Sequence, residues 1–153
     1  MGSRSMNDKD SAAKATLMNY ADIIMGSVYS FERMILQSDV SDFARLTGDY
    51  NPLHVDPAYG KKSVFKRNIV HGMLAASYFS TLVGMYCPGE KSVFLSQELN
   101  FRKPLFVGDS MVLRATVVSK TDSLKMVTLR MEILRDNEIM IDGMARVLVR
   151  GDD

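Results

Sequence analysis

The stretch that most constrains the fold is residues 71–86, HGMLAASYFSTLVGMY, which would be apolar on nearly every side of a helix. A helix that is hydrophobic all round has to be buried. Cys87, Pro88 and Gly89 follow and end it. A chain of 153 residues is long enough for one domain with a core that surrounds such a helix. We therefore expect a single domain built around a buried helix at 71–86.

Most of the remaining chain alternates between apolar and polar residues, which is the pattern of half-buried strands. The alternating runs cover residues 27–36, 92–101, 113–117, 127–133 and 139–149. Gly143 predicts a β-bulge in the last run. A short amphipathic helix is expected at 39–47, with Gly48 ending it. An antiparallel sheet of about five strands with a buried helix against one face is an α+β architecture.

The composition is that of a globular protein and argues against several kinds of partner. Hydrophobic residues make up 46% of the chain and charged residues 24%. The net charge of +1 provides no field that would attract nucleic acid or a membrane surface, so we expect neither as a partner. The apolar stretches are shorter than the roughly 20 residues that span a bilayer. The single cysteine, Cys87, predicts a reducing, cytoplasmic location.

The N-terminal residues 1–22 are expected to form an extension outside the domain, which we place at 23–151. They are polar and rich in alanine and have no firm helix caps, so the sequence predicts flexible or loosely helical chain. Residues 1–5 are interpreted as a cloning remnant before a native start near Met6. Asp8 and Asp10 stand where a signal peptide would carry positive charge.

The segment GDYNPLHVDP, residues 48–57, gathers polar side chains that suit either a metal site, a turn or acid/base chemistry. A calcium loop that began at Asp49 would need an oxygen ligand where Leu53 stands and a glycine where His54 stands. A zinc site usually takes four cysteines or histidines, and the chain has one cysteine and two histidines. We therefore expect no metal.

The turn and the acid/base explanations both remain open. Asn51 precedes a proline, which favours a turn, and Asp and Asn side chains bond readily to their own backbone. This accounts for Asp49 and Asn51 but leaves His54 unexplained. Alternatively, Asp49 and His54 converge on one water across the turn, where one accepts a proton and the other orients or donates, with Asn51 holding either of them in place.

The start of the buried helix adds an electrophilic element. N–H groups at a helix start have no internal partner and suit a developing oxyanion, and Gly72 lets a carbonyl approach the backbone closely. His71 is better explained as a helix-start residue with a structural hydrogen bond than as a catalyst. An acid/base pair beside such a site can add water to a double bond conjugated to a carbonyl, or remove it.

Three segments together resemble the MaoC-like (R)-specific enoyl-CoA hydratases, also called hydratase 2. They are FARLTGDYNPLHVD (43–56), IVHGMLAASYFS (69–80) and NFRKPLFVGD (100–109), and the resemblance covers roughly residues 25–150. It implies a hot-dog fold, in which a curved antiparallel sheet wraps a long central helix and two sheets join in a homodimer or a dimer of dimers. It also implies that Asp49 and His54 are the catalytic pair, that Gly72 donates to the thioester carbonyl and that Ser80 shapes the pocket.

The activity implied by the resemblance is the reversible hydration of trans-2-enoyl-CoA to (R)-3-hydroxyacyl-CoA. No cofactor is expected, because coenzyme A is part of the substrate. The alternatives are a 3-hydroxyacyl-acyl carrier protein dehydratase of fatty-acid synthesis, a hot-dog thioesterase and a non-catalytic acyl-thioester binding module. Turnover of matched substrates separates the carriers, and thiol release identifies a thioesterase.

A basic cluster bears on the choice of carrier. Lys61, Lys62, Lys66 and Arg67 fall within seven positions, and no acidic residue lies between Asp56 and Glu90. These side chains either form a solvated loop or bind the phosphates of coenzyme A or the acidic surface of an acyl carrier protein.

Overall fold

The computed structural model describes residues 13–151, which form an antiparallel sheet and a set of helices in one core. The strands are β1 (Val28–Met34), β2 (Ser92–Gln97), β3 (Asn100–Phe101), β4 (Ser110–Thr121), β5 (Met126–Arg135) and β6 (Glu138–Val149). The helices are α1 (Gln37–Thr47), α2 (Pro52–Val55), α3 (Pro57–Lys62), α4 (Gly72–Ser77) and α5 (Phe79–Thr81). A 3-10 helix (Tyr20–Asp22) precedes β1, and a π-helical turn (Leu82–Tyr86) follows α5.

The sheet has the strand order β1-β4-β5-β6-β2, and β3 pairs with β6 on the same side as β2. The pairings between these strands are antiparallel. Alternate residues of the central strands face the core, as Leu129, Met131 and Ile133 of β5 show by being fully buried. The expected α+β architecture is confirmed.

The predicted buried helix is present at the centre of this core. Segments α4, α5 and the π-helical turn follow one another from Gly72 to Tyr86, and Leu74, Phe79 and Leu82 are at most 6% exposed. The continuation past Thr81 is π-helical rather than α-helical, and it contacts β1, β2 and β4. Within residues 13–151, no helix is long and apolar enough to cross a membrane.

The single strand expected at 92–101 is two strands, β2 and β3, so the described chain has six strands rather than about five. Gly143 pairs in register with Met131, so the predicted bulge at Gly143 is wrong. The register shift lies nearby, where Ile133 pairs with Ile141 but Leu134 pairs with Ile139. A Cβ atom at Gly143 would overlap the carbonyl oxygen of Glu98, so the glycine lets the backbone between β2 and β3 approach β6 closely.

The described part of the N-terminal extension is held more firmly than the sequence indicates. Residues 1–12 of the predicted extension lie outside the described residues. From Thr16 onward the expectation of loose chain is wrong: the N–H of Thr16 donates to the Met85 carbonyl at 3.0 Å, and the N–H of Glu90 donates to the Thr16 carbonyl at 2.8 Å. The Lys120 ammonium also donates to the Tyr20 carbonyl at 3.0 Å. The domain start at residue 23 stays a prediction.

Replacing Gly143 with alanine should destabilise the protein, because the new methyl group would meet the Glu98 backbone, which cannot rotate away. Overpacking of this kind costs about 1–3 kcal/mol. Urea unfolding followed by circular dichroism measures the effect. Gly84→Ala is the matched control: nothing lies within 4 Å of its Cβ position, so the same change should be neutral or stabilise by about 0.4–1 kcal/mol. Equal losses in the two variants would contradict the steric explanation.

Candidate active site

The overhanging segment (residues 49–70) begins where α1 ends in a left-handed residue. Gly48 has a φ of 79°, and its N–H donates to the Ala44 carbonyl at 2.8 Å, which turns the chain out of the helix. The N–H of Asn51 then donates to Asp49 Oδ1 at 3.2 Å, and Asn51 Oδ1 accepts from the N–H of Leu53 at 3.0 Å to cap α2. The turn explanation of Asp49 and Asn51 is therefore confirmed.

Asn68 closes the overhanging segment onto itself. Its amide nitrogen donates to the carbonyls of Pro52, Leu53 and Asp56 at 3.1, 2.9 and 2.9 Å. Gly60 makes room for this arrangement, since a Cβ atom there would lie 2.6 Å from the Asn68 backbone nitrogen. The sequence analysis missed Asn68, because a lone asparagine in a polar loop has no partner that sequence spacing can identify.

His54 is fixed in one tautomer by the end of the same segment. Its Nδ1 lies 2.8 Å from the carbonyl oxygen of Ile69. Since a carbonyl oxygen can only accept, the proton of the neutral ring is on Nδ1. Nε2 therefore carries the lone pair, and a histidine held in this way can accept a proton through Nε2.

His71 joins the overhanging segment to the start of α4. The residue is 2% exposed, and its Nε2 donates to the Asp49 carbonyl oxygen at 3.0 Å. One face of its ring stacks on His54, with centroids 4.0 Å apart and planes at 30°. Phe43 of α1 also packs against the ring, with centroids 5.0 Å apart. The structural hydrogen bond predicted for His71 is confirmed.

The side chains of Asp49, His54 and His71 converge. One carboxylate oxygen and one nitrogen of each ring all lie within 4.8 Å of one another. A single water at hydrogen-bond distance bridges two atoms up to roughly 5.6 Å apart, so Asp49 and His54 are close enough to share one. Asp49 is 48% exposed, and solvent therefore reaches its carboxylate. This is the arrangement that the acid/base explanation requires.

The same three residues are of the types that bind metal ions, but two of their nitrogens already have other partners. Nδ1 of His54 donates to Ile69, and Nε2 of His71, the nitrogen 3.9 Å from the Asp49 carboxylate, donates to a carbonyl. A metal ion would have to displace the second of these hydrogen bonds to use that nitrogen. The absence of a metal stays a prediction.

A cavity of about 520 Å³ opens beside His54 and His71. Gly72 is part of its wall, and the ring of Phe101 packs so closely on it that a Cβ atom there would be 2.7 Å from the ring. The rest of the wall is mostly apolar and includes Phe65, Ile69, Val70, Met73, Ala75, Leu105 and Ile141. An apolar cavity with a few polar groups at one end is typical of a small-molecule site.

The first two residues of α4, Gly72 and Met73, line this cavity. The N–H groups of Leu74 and Ala75 donate to the His71 carbonyl at 3.1 and 3.3 Å. Those of Gly72 and Met73 come earlier, at positions where a helix offers no internal acceptor. The predicted oxyanion position at Gly72 therefore lies in the cavity wall, and its role stays a prediction.

Two cations in the cavity wall were missed by the sequence analysis. Arg102 makes a two-point ion pair with Asp142, whose pKa this hydrogen bonding lowers below its ordinary value. Lys103 pairs with Glu138. Both cations directly follow Phe101, but the sequence could not show that β3 and β6 bring a carboxylate to each of them.

The residues predicted to bind substrate lie outside the described wall of the cavity. Asn51 caps α2, and Ser80 is exposed on α5. The four basic residues are all exposed, namely Lys61, Lys62, Lys66 and Arg67. The Arg67 guanidinium also lies over the ring of Phe106, 3.5 Å from its centroid. Asp49 stands beside the cavity, next to His71, rather than in its wall. The substrate-binding roles of these residues stay predictions.

The fold and the site together define an α+β protein with an Asp–His pair beside an apolar cavity. The model of the MaoC like domain matches residues 13–137. The chain belongs to the MaoC-like family, and its structural neighbours confirm the hot-dog fold.

Three similar proteins are informative. An (R)-specific enoyl-CoA hydratase from Rhodospirillum rubrum is 35% identical over 139 residues, 91% of this chain and 96% of the relative. The structure of an (R)-hydratase from Aeromonas caviae involved in PHA biosynthesis superposes with a TM-score of 0.81 at 36% identity, covering 84% of this chain and 98% of that one. A mitochondrial 3-hydroxyacyl-[acyl-carrier-protein] dehydratase from Arabidopsis thaliana is 29% identical over 143 residues, 91% of this chain and 82% of the relative.

Replacing Asn68 with aspartate should loosen the overhanging segment, because a carboxylate would face three carbonyl oxygens in place of the amide donor. A hydrogen bond of this kind contributes about 0.5–1.5 kcal/mol, so the free energy of unfolding should fall by at least that order in urea titrations. Asn137→Asp makes the same chemical change in an exposed turn and should leave stability unchanged. Equal stability of the two variants would show that the three hydrogen bonds of Asn68 do not hold the overhanging segment together.

Proposed function

We propose that this protein reversibly hydrates trans-2-enoyl-CoA to (R)-3-hydroxyacyl-CoA. The observation that carries the proposal is the convergence of Asp49 and His54 within 4.8 Å beside an apolar cavity whose wall contains Gly72. An apolar cavity suits an acyl chain, and the paired groups suit the handling of one water. The Rhodospirillum rubrum and Aeromonas caviae proteins, named as (R)-hydratases, support the same activity.

In the proposed reaction, water held between the Asp49 carboxylate and His54 Nε2 attacks C3 of the enoyl thioester. Its oxygen forms the new bond to C3 while one of its protons passes to the Asp–His pair. The electron pair of the double bond moves towards the thioester carbonyl, and the N–H of Gly72 stabilises the charge that develops there. A proton then returns from the pair to C2, and the reverse sequence removes water.

The proposal also specifies which carrier holds the acyl chain. We propose coenzyme A, and the Arabidopsis thaliana relative, named for an acyl carrier protein substrate, makes a carrier-protein dehydratase the alternative. The exposed cluster Lys61, Lys62, Lys66 and Arg67 suits the phosphates of one carrier or the acidic surface of the other. Measuring kcat/KM for crotonyl-CoA and for the crotonyl carrier protein decides between them; a large preference for the second would overturn the choice of coenzyme A.

Thioester hydrolysis and binding without turnover are the other activities considered. Cys87 does not suit a nucleophile, because burial raises the pKa of its thiol to about 11. A thioesterase would release free thiol, and a binding module would leave the enoyl thioester unchanged.

We propose that the protein needs neither a metal nor another cofactor, and that it acts in the cytoplasm, which the unpaired Cys87 supports.

We further propose that two copies pair through β2, at the edge of the sheet, in a homodimer or a dimer of dimers. Val93, Phe94 and Leu95 are consecutive in β2 and are 38, 39 and 53% exposed. Because successive side chains of a strand point to opposite faces, this strand leaves apolar groups uncovered on both faces as well as an unpaired edge. Pairing of two such edges about a two-fold axis would satisfy the backbone groups of the edge and bring the apolar side chains of the two strands against one another.

The acid/base proposal predicts that Asp49→Asn and His54→Asn each lower kcat for crotonyl-CoA by about 10²- to 10⁴-fold, because each removes one half of the proton transfer. The double variant should lose much less than the product of the two single losses, since the groups act as a unit. Asp56→Asn is the matched control: this side chain caps α3 on the same overhanging segment, outside the cavity wall. Near-normal turnover by a folded Asp49→Asn protein would contradict the proposal.

The dimer proposal predicts that Leu95→Lys weakens self-association, because the charge would be buried between two copies. Light scattering at micromolar concentration should give a dimer or larger species for the unaltered protein and a lower mass for the variant. Leu124→Lys provides the control, since Leu124 is similarly exposed, at 58%, in the turn between β4 and β5. A monomer mass for the unaltered protein would rule out the proposed pairing.

A further inference from the structure

We infer that His71 is a positioning residue for the hydration: it holds Asp49 by its backbone and His54 by its ring. The inference rests on the proposed function and goes beyond it, because it gives His71 a role in turnover in addition to its structural hydrogen bond. It draws on three observations, namely the bond to Asp49, the stacking on His54 and the unused nitrogen of the same ring.

The first contact fixes the residue that carries the carboxylate. Nε2–H of His71 donates to the Asp49 carbonyl at 3.0 Å, and the Asp49 carboxylate lies 3.9 Å from the same nitrogen. Asp49 is half exposed and follows directly after the left-handed Gly48. Because His71 is 2% exposed and lies at the start of the buried helix, its bond ties this exposed side of the site to the core.

The second contact fixes the plane of the other member of the pair. The hydrogen bond from His54 Nδ1 to Ile69 sets the direction of one ring nitrogen but leaves rotation about that bond possible. Stacking on His71 at 4.0 Å sets the plane of the ring and with it the direction of Nε2. Phe43 also packs against the His71 ring, but it contacts neither Asp49 nor His54 in the described ring and hydrogen-bond contacts.

The third observation separates a functional role from a purely structural one. With its proton on Nε2, the neutral His71 ring has its lone pair on Nδ1, and within residues 13–151 no donor reaches that buried atom. An unpaired polar atom in the core lowers stability. A histidine ring whose only described side-chain hydrogen bond is the one to Asp49 therefore carries a cost in stability, which its effect on the Asp–His pair explains.

Two variants separate the two contacts. His71→Phe keeps an aromatic ring against His54 but removes the donor to Asp49, whereas His71→Gln keeps an N–H donor and removes the ring. We expect each to lower kcat for crotonyl-CoA by about 10- to 100-fold, because a misplacement of about 1 Å at a reacting centre costs up to about 10²-fold. KM should stay within about twofold, because lost positioning affects the transition state rather than substrate binding.

A double-variant comparison distinguishes positioning from loss of structure. In an Asp49→Asn background, His71→Phe should lower the remaining turnover by less than about threefold, since the group that it positions no longer functions. Phe43→Leu disturbs packing on the other side of the ring but keeps both contacts, and its kcat should stay within about threefold of the unaltered protein. Urea unfolding of every variant accompanies the kinetics, and His71→Gln replaces His71→Phe if the latter does not fold.

The outcomes distinguish this inference from the proposed function. Absence of hydration by the unaltered protein would overturn the proposed function whatever His71 does. If the unaltered protein is active, unchanged kcat in both His71 variants would overturn the positioning role. The same fold loss with and without Asp49, matched by Phe43→Leu at equal loss of stability, would also overturn it and show that His71 acts through stability alone.

Discussion

Burial of the helical segments between Gly72 and Tyr86 against the sheet fixes the position from which the site is built. Leu74, Phe79 and Leu82 hold these segments in the core, so the first residues of α4 have little freedom. His71 and Gly72 stand at this anchored end, one against the Asp–His pair and the other in the cavity wall. Chemistry that depends on sub-ångström placement is thereby connected to the most rigid part of the fold.

The overhanging segment differs from the buried helical segments in the contacts that hold it. It is held largely by polar contacts: the three bonds of Asn68, the His54–Ile69 bond and the His71–Asp49 bond. Segments with few buried apolar contacts open more easily than a core does. A site that lies between the buried helix start and the overhanging segment can admit a substrate while Asp49 and His54 stay aligned.

The sequence predicted those features that depend on periodicity or on local chemistry. An all-apolar stretch indicated the buried helix, alternation indicated the strands, and Gly48 marked the end of α1, because each pattern follows from burial or backbone geometry along the chain. The division of 92–101 into two strands occurs where Glu98 lies close to Gly143, a residue that is distant in the sequence. Asn68 and the carboxylate partners of Arg102 and Lys103 likewise depend on contacts between distant residues, which one sequence does not display.

The His54–His71 stack lies between these cases. Both histidines stood in recognisable motifs, but nothing in the spacing from 54 to 71 showed that the two rings would meet at 4.0 Å. The fold brings them together because the overhanging segment returns to the helix start at Ile69 and Val70. The segment 48–57 indicated the pair Asp49 and His54, the resemblance to the hydratases implied the same pair, and the structure adds the third ring beside them.

The most direct test of this account is to follow the loss of absorbance of the conjugated thioester when the purified protein is mixed with crotonyl-CoA, and then to determine the chirality of the product. The account predicts rapid loss of absorbance, no release of free thiol and formation of (R)-3-hydroxybutyryl-CoA. Release of free thiol, formation of the (S) product or unchanged absorbance at micromolar enzyme would contradict it.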